Sequence, residues 1–413
     1  MFKLFRNPVT LITTLMAAGV LCITMGVRQS MGLYVGPLNT ATGLGIAKIS
    51  LALAIGQFAW GLVQPLAGAL ADKKGPRVVL MCAILMLSLG CAITPFVESE
   101  GALIVSLGML AAMGSGAASF SVLIGATAQK IPASDRGTAS GLINAGGSLG
   151  QFIFAPLNQK LIELLGWMGS MGSMALISLL ALPMIAKLTQ GAPQTSAAPT
   201  SGPAHENKAP TQSVGQAVRD ALSNKSYQLL HLGFFTCGFH IAFLVTHLPN
   251  EVNLCGLSSS VASWSLGIIG LANIVGSIVA GGCVNNYKSK YILALMYGSR
   301  AVLIALYLLA PKSAITFYLF AAGLGVTWLA TVPPTATIVA KLFGVRYLGT
   351  LFGLTLLSHQ MGGFLGAYLG GLAYTQNGDY QWMWYADMAL AAFAALINLP
   401  IVEPTPEPQA QAQ

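Results

Sequence analysis

Apolar stretches closed by Gly, Pro or charge recur along almost the whole chain. They fall at about 9–35, 46–70, 77–97, 101–129, 138–162, 168–188, 227–249, 258–284, 290–310, 314–341, 348–374 and 382–402. A helix of ~20 residues crosses the ~30 Å hydrocarbon core of a bilayer, so this pattern predicts twelve transmembrane helices. The long polar interruption at 189–226 is rich in Pro, Ala, Ser, Thr and Gln, with too little apolar surface to fold alone. Only its end, Val214 to Leu222, patterns as a short helix suited to a membrane surface. The chain therefore divides into a six-helix half over 1–188, a flexible linker over 189–226, a second half over 227–402 and a disordered tail over 403–413.

Composition turns this pattern into an exclusion. Of 413 residues 55% are hydrophobic and only 8% charged, at a mean hydropathy of +0.71. A soluble domain carries about 25% charged residues, so a water-exposed surface for most of this chain is excluded and lipid is its partner. The net charge of +8 would suggest nucleic acid in a soluble protein, but here its distribution sets topology. With both termini inside, fifteen of the twenty Lys and Arg fall on the cytoplasmic side, among them Lys73, Lys74, Arg77, Lys130, Arg136 and Arg346. Three, Lys48, Lys160 and Lys312, fall outside, and Arg28 and Arg300 lie within spans. Linker and tail are then cytoplasmic. The run from Val9 is the first span and not a cleaved signal. The six cysteines lie in or beside apolar runs with no C-x-x-C, and read as small buried hydrophobes with no metal site.

A shift of 212 residues aligns Gly137-Thr138-Ala139-Ser140-Gly141-Leu142 with Gly349-Thr350-Leu351-Phe352-Gly353-Leu354, and Gly150, Phe152, Ala155 and Leu157 with Gly362, Phe364, Ala367 and Leu369. Parallel six-helix repeats are a transporter architecture. The loop Gly68-Ala69-Leu70-Ala71-Asp72-Lys73-Lys74-Gly75-Pro76-Arg77 resembles the G-x-L-a-D-r-x-G-r-R signature of the major facilitator superfamily, with Pro76 in place of a basic residue. Gly281-Gly282-Cys283-Val284-Asn285-Asn286-Tyr287-Lys288 looks like a degenerate second copy. Within that superfamily, Arg136-Gly137-Thr138-Ala139-Ser140-Gly141 running into Ala145-Gly146-Gly147-Ser148 is similar to the fifth span of the bacterial monocarboxylate porter and oxalate:formate antiporter group. So are Gly26 to Tyr34 and Phe343 to Gly353. The chain lacks the fourth-span Arg of drug exporters and the eighth-span cation of some carboxylate porters. The resemblance implies two pseudo-symmetric six-helix halves around a central cavity, with spans three, six, nine and twelve peripheral, in a bacterial inner membrane.

An ionised group at the bilayer centre costs ~2.5–3.5 kcal/mol on insertion scales, so each one needs a partner or a wet cavity. Arg28 shares a helix face with Thr24 and Met31, and its planar fork suits a carboxylate. The competing reading pairs it with Glu163 or Glu251. His359 lies mid-span near Thr355 and Gly362, as a substrate contact, a proton carrier or a packed histidine. Polar stripes at helical spacing add Gln57 and Gln64 in span two, Asn144, Ser148, Gln151 and Asn158 in span five, and His240 and His247 in span seven. Such groups must face protein or water, as substrate contacts or as interhelical glue. Arg300 and Asp387 are expected to pair structurally. Pro333-Pro334 should break span ten, which makes Thr331 a candidate for binding or gating beside Thr335. On the cytoplasmic side, Asp72, Arg77, Arg136 and Arg346 are candidates for a conformational switch, pairing with helix ends when that side closes.

These features together predict a secondary active transporter that alternates access and moves a small organic acid anion, coupled to protons. Spans one to eleven offer no mid-membrane carboxylate to carry the proton, so His359 or His240 would have to serve; anion exchange would need neither. A larger amphipathic substrate such as a drug, peptide or siderophore is the alternative. An enzyme is disfavoured, since H-E-x-x-H, G-x-S-x-G and an intramembrane Asp pair are all missing, and no cofactor or metal is implied. A channel would need a filter or a ring of like charge. Twelve spans make a pathway in one chain, so a monomer suffices.

Overall fold

The computed structural model describes residues 7–132, 135–190, 213–284, 286–344 and 347–404. Helix α1 (Pro8–Gln29) continues through a 3-10 turn (Met31–Tyr34) into α2 (Val35–Thr42). Helices α3 (Ile46–Lys74) and α4 (Pro76–Ile93) follow. The fourth span is divided into α5 (Glu100–Leu103), a π-helical stretch (Ile104–Ala111), α6 (Ala112–Ala117) and α7 (Phe120–Ala128). Then come α8 (Arg136–Leu179), α9 (Ala181–Thr189) and α10 (Val214–Ser223). The remainder is α11 (Lys225–Leu254), α12 (Ser259–Cys283), α13 (Ser289–Leu309), α14 (Ala314–Thr327), α15 (Val332–Phe343), α16 (Leu348–Asn377) and α17 (Gln381–Asn398), with no strand among the described residues.

Local chemistry sets the ends. The Asn7 side chain accepts from the amide of Val9 at 3.0 Å, with Pro8 at the first helical position, where no donor is needed. The signature loop turns at Gly75 (φ +84), and Pro76 opens α4. In α10, capped by Ser213, the buried Ala217 and Ala221 form one face.

At 44 residues α8 would reach ~66 Å, twice a bilayer. Its backbone breaks at Gly166 (φ 71, ψ 171), and Ser170 on the far side donates to Asn158 Oδ1 at 2.6 Å. The chain therefore folds back there, as the gap between the fifth and sixth apolar runs predicts. Among the described residues nine helical stretches are long and apolar enough to cross a membrane, the doubled Thr138–Thr189 among them. Helices α16 (30 residues) and α17 (18 residues), diluted by Ser358, His359 and Gln360 and by Asp387, are also long enough to cross. With the fold-back at Gly166, the described helices fit the expected twelve. Leu66, Leu164, Leu295 and Leu309 on the outer faces are exposed, as lipid contact requires.

Buried apolar side chains form two main cores, one drawn from Ala17 to Leu188, the other from Ala221 to Ile401 with Leu33 and Ala155 added. In the first core α1 and α8 touch backbone to backbone, with Gly146 against the Ala18 carbonyl and Gly150 against that of Cys22. The second core repeats the device, with Gly362 of α16 against the Phe235 carbonyl of α11. Applying the 212-residue shift to Gly150 and Cys22 reproduces the second contact to within one residue.

Two seams join the cores. Along α3 and α16, Gly371 meets Ser50, Gly363 meets Gln57, and Gly61 meets Gln360. Along α8 and α12, Asn273 Nδ2 donates to Ser148 Oγ at 2.8 Å, and Gly270 sits against the Ser148 carbonyl. Beyond the end of α1, Gly32 lies against the Val245 carbonyl. These contacts run from the face opposite the termini to mid-depth.

Span ten breaks as expected, but ahead of the prolines. Its gap is Trp328 to Thr331, and Pro333 and Pro334 sit in the first turn of α15. The π-helical stretch of the fourth span has no proline and no counterpart in the apolar pattern.

Candidate functional site

Arg28, in the last turn of α1, donates through Nη2 to Gln57 Oε1 on α3, and its guanidinium lies 4.2 Å from the ring centroid of Trp60. Gln57 and Trp60 are three residues apart, so one helix face supplies both the acceptor and the aromatic plane. No carboxylate lies within ion-pair distance of Arg28 among the described residues. The proposed partners are occupied elsewhere. Glu163 takes Gln159 and Lys160, and Glu251 accepts from Tyr307 at 2.6 Å and from Trp384 at 3.2 Å. The structural pairing for Arg28 is therefore corrected.

Arg28 and Gln57 line a narrow, partly open cavity with Met31 and Gly32 of the first span, Leu53 and Gly56 of α3, and Ser115 of α6. Val245 and Thr246 of α11 close it from the other core. Arg28 is the one titratable group in this lining. Such a wall can hold a small anion by its charge and its fork, with Gln57 fixing the guanidinium.

The remaining sequence candidates lie elsewhere. His240 Nδ1 is 2.6 Å from Asp387 Oδ2 of α17, with both side chains buried. Arg300, expected to hold Asp387, donates instead to Thr327 Oγ1 at 3.1 Å, to the Trp328 carbonyl at 2.9 Å, to the Thr327 carbonyl, and to Cys237 Sγ at 3.4 Å. It closes the carbonyls left free by the break in span ten and makes no direct ion pair among the described residues. Thr331 is 3.4 Å from the same thiol, and the ring of His359 is 4.9 Å from that of Phe234. Gln151 is buried on the α8 and α12 seam with both amide atoms unpartnered, and Asn144 is half-buried on α8. Asn158 and His247 are packed and satisfied: Asn158 by Tyr34, Ser30 and Ser170, His247 by Tyr380 and the Ala367 carbonyl. Of the switch candidates, Arg77 and Arg136 are exposed at the termini face, while Arg346 and the Asp72 side chain lie outside the described residues.

Sequence reasoning missed Trp60, although an aromatic one turn from Gln57 was visible. It also missed the pairing of His240 with Asp387, for which a single chain carries no signal.

The Major Facilitator Superfamily model matches residues 14–366 and 256–413. Monocarboxylate transporter 13 of Rattus norvegicus is 27% identical over 385 residues, covering 92% of this chain and 86% of that protein. The oxalate:formate antiporter of Oxalobacter formigenes is 24% identical over 374 residues, covering 88% and 84%. Among solved structures, that of a D-xylose-proton symporter superposes with a TM-score of 0.72 at 15% identity, over 95% of this chain and 97% of the other, a likeness of fold.

Proposed function

The chain belongs to the major facilitator superfamily, and from that premise we propose that it carries a small organic acid anion of the monocarboxylate type, together with a proton, across a bacterial inner membrane. Residues 1–188 and 227–402 act as the two halves of an alternating-access transporter, and one chain is sufficient. The observation that carries this reading is Arg28, a guanidinium that faces a cavity, is held by Gln57 and Trp60, and has no carboxylate within ion-pair distance among the described residues. In low dielectric an unbalanced cation is costly, and a substrate carboxylate supplies the missing charge. The similarity to a monocarboxylate transporter and an oxalate:formate antiporter points the same way.

With both termini cytoplasmic, the seams at Gly32, Ser50 and Gly371 close the outer side, and this conformation faces inward. Arg77 and Arg136, exposed on the termini face, are the switch contacts of this reading, to be paired when that side closes. Anion exchange is the second reading, favoured by the absence of any titratable group but Arg28 in the cavity lining.

Uptake into proteoliposomes of a labelled panel of mono- and dicarboxylates, with and without an inward proton gradient, tests both. Saturable uptake driven by the gradient and lost in Arg28→Gln supports symport. Gradient-independent uptake that requires an internal anion supports exchange. No carboxylate uptake, with binding of bulky amphipathic compounds unaffected by Arg28→Gln, overturns the organic-anion reading.

A further inference from the structure

The cavity lining has no group that could carry a proton, while α11, which walls it, holds at His240 a buried pair with Asp387 of α17 that does. We propose that His240 and Asp387 together form the proton-binding site of the transporter, an inference that rests on the symport reading above and gives it a location.

The geometry has three parts. First, Nδ1 and Oδ2 at 2.6 Å share a hydrogen between side chains 1% and 0% exposed. Second, the outer atoms, His240 Nε2 and Asp387 Oδ1, are buried without a partner among the described residues. Both outer atoms are therefore free to take up or release a hydrogen without breaking a bond to another described residue. The bare atoms are where one further proton binds and leaves: without it the pair carries a charge of −1, with it zero, whichever side chain holds the shared hydrogen.

Third, the charged form has a counter-ion. Cys237, one turn before His240 on α11, receives Arg300 Nη1 at 3.4 Å, and the Trp328 ring, 6.0 Å from the His240 ring, belongs to the residue whose carbonyl Arg300 also holds. The cluster is therefore neutral overall without the proton and carries one positive charge with it. Among groups on the packed elements, α11 presents Cys237, α13 presents Tyr297 and Arg300, and α16 presents His359, which sits against the Cys237 thiol. Helix α12 carries no titratable side chain before Cys283, and α15 carries only Lys341 near its far end. Among the described residues no second carboxylate competes for the proton in this cluster. The link to substrate is α11 itself. Val245 and Thr246, which wall the Arg28 cavity, follow His240 by five and six residues, a rise of ~8 Å.

The test uses Asp387→Asn, which keeps side-chain size and a bond to His240 but cannot ionise, and His240→Gln, both with intact melting temperatures in detergent. Expected is loss of gradient-driven uptake in proteoliposomes with counterflow exchange of the same carboxylate retained. Infrared difference spectra of the full-length protein give a readout independent of substrate. A pH-dependent carboxyl band that survives Glu251→Gln and vanishes in Asp387→Asn is expected. Gradient stimulation that persists in Asp387→Asn, or a carboxyl band unchanged in it, overturns the site. A wild-type protein that shows the band but no gradient stimulation with any carboxylate overturns the symport reading and leaves the proton site standing.

Discussion

Replacing Arg28 separates its charge from its shape. In the cavity the guanidinium is fixed by Gln57 and by the Trp60 ring at 4.2 Å, so its remaining N–H groups are pre-aimed at a bound carboxylate. Hydrogen bonds to a charged group are worth ~1.5–3 kcal/mol each. Gln at position 28 removes the charge and the fork but retains one neutral donor, for a net loss of ~2–4 kcal/mol, or ~30- to 1,000-fold in Kd. Lys retains the charge but neither the bidentate fork nor the stack on Trp60, so its loss is smaller, ~10-fold. Isothermal titration calorimetry with the best-transported monocarboxylate of the uptake panel measures all three proteins in one detergent. Because Arg28 has no acidic partner among the described residues, its removal orphans no carboxylate there, and the melting temperature of Arg28→Gln should not fall. An affinity of Arg28→Gln within ~3-fold of wild type, or a Lys variant weaker than the Gln one, refutes the assignment.

Three further outcomes are expected. Ser148→Ala leaves Asn273 Nδ2 unpartnered at the α8 and α12 seam, a cost of ~1–3 kcal/mol carried by the closed outer face; cysteines introduced at that face should label faster. Gly362→Ala drives a methyl into the Phe235 carbonyl, and overpacking of ~1–3 kcal/mol should lower the melting temperature, whereas Ala at the open Gly349 should not. Glu403→Ala removes the carboxylate that accepts from the Lys290 amide at 2.6 Å and pairs with Lys341 at 2.7 Å, a loss of ~1 kcal/mol, read as faster proteolysis of the chain's end.

Hydrophobic run lengths made the spans legible, because lipid leaves the backbone no alternative to helix. The turn at Gly166 was legible as a gap, and the break before Pro333 as a pair of missing donors. Helical spacing identified faces but not partners. It placed Gln57, Asn158 and His247 on stripes alike, yet one faces the cavity and two are packed with their hydrogen bonds met. Arg300 and Asp387 looked like a pair because both were unbalanced charges. The structure supplies each with something composition cannot show, broken-helix carbonyls for one and a histidine for the other. The π-helical stretch lies where Gly108 meets the Ala52 carbonyl and Gly90 the Ser106 carbonyl, contacts beyond the reach of a one-dimensional pattern.

The glycine contacts of α1 with α8 and of α11 with α16 have a mechanical consequence. Where carbonyl meets Cα there is no layer of side chains to shear, so each helix pair must travel as a stiff plank. Compliance is left between the cores, above all along α3 and α16, where the side chains of Ser50, Gln57 and Gln360 lie in the contact. Motion that opens one face and shuts the other is then a tilt of planks about mid-depth. The first half of α8 provides an arm of ~20 Å on either side of that depth, so a tilt of ~10° moves its tips by ~3–4 Å, enough to admit or exclude a small solute.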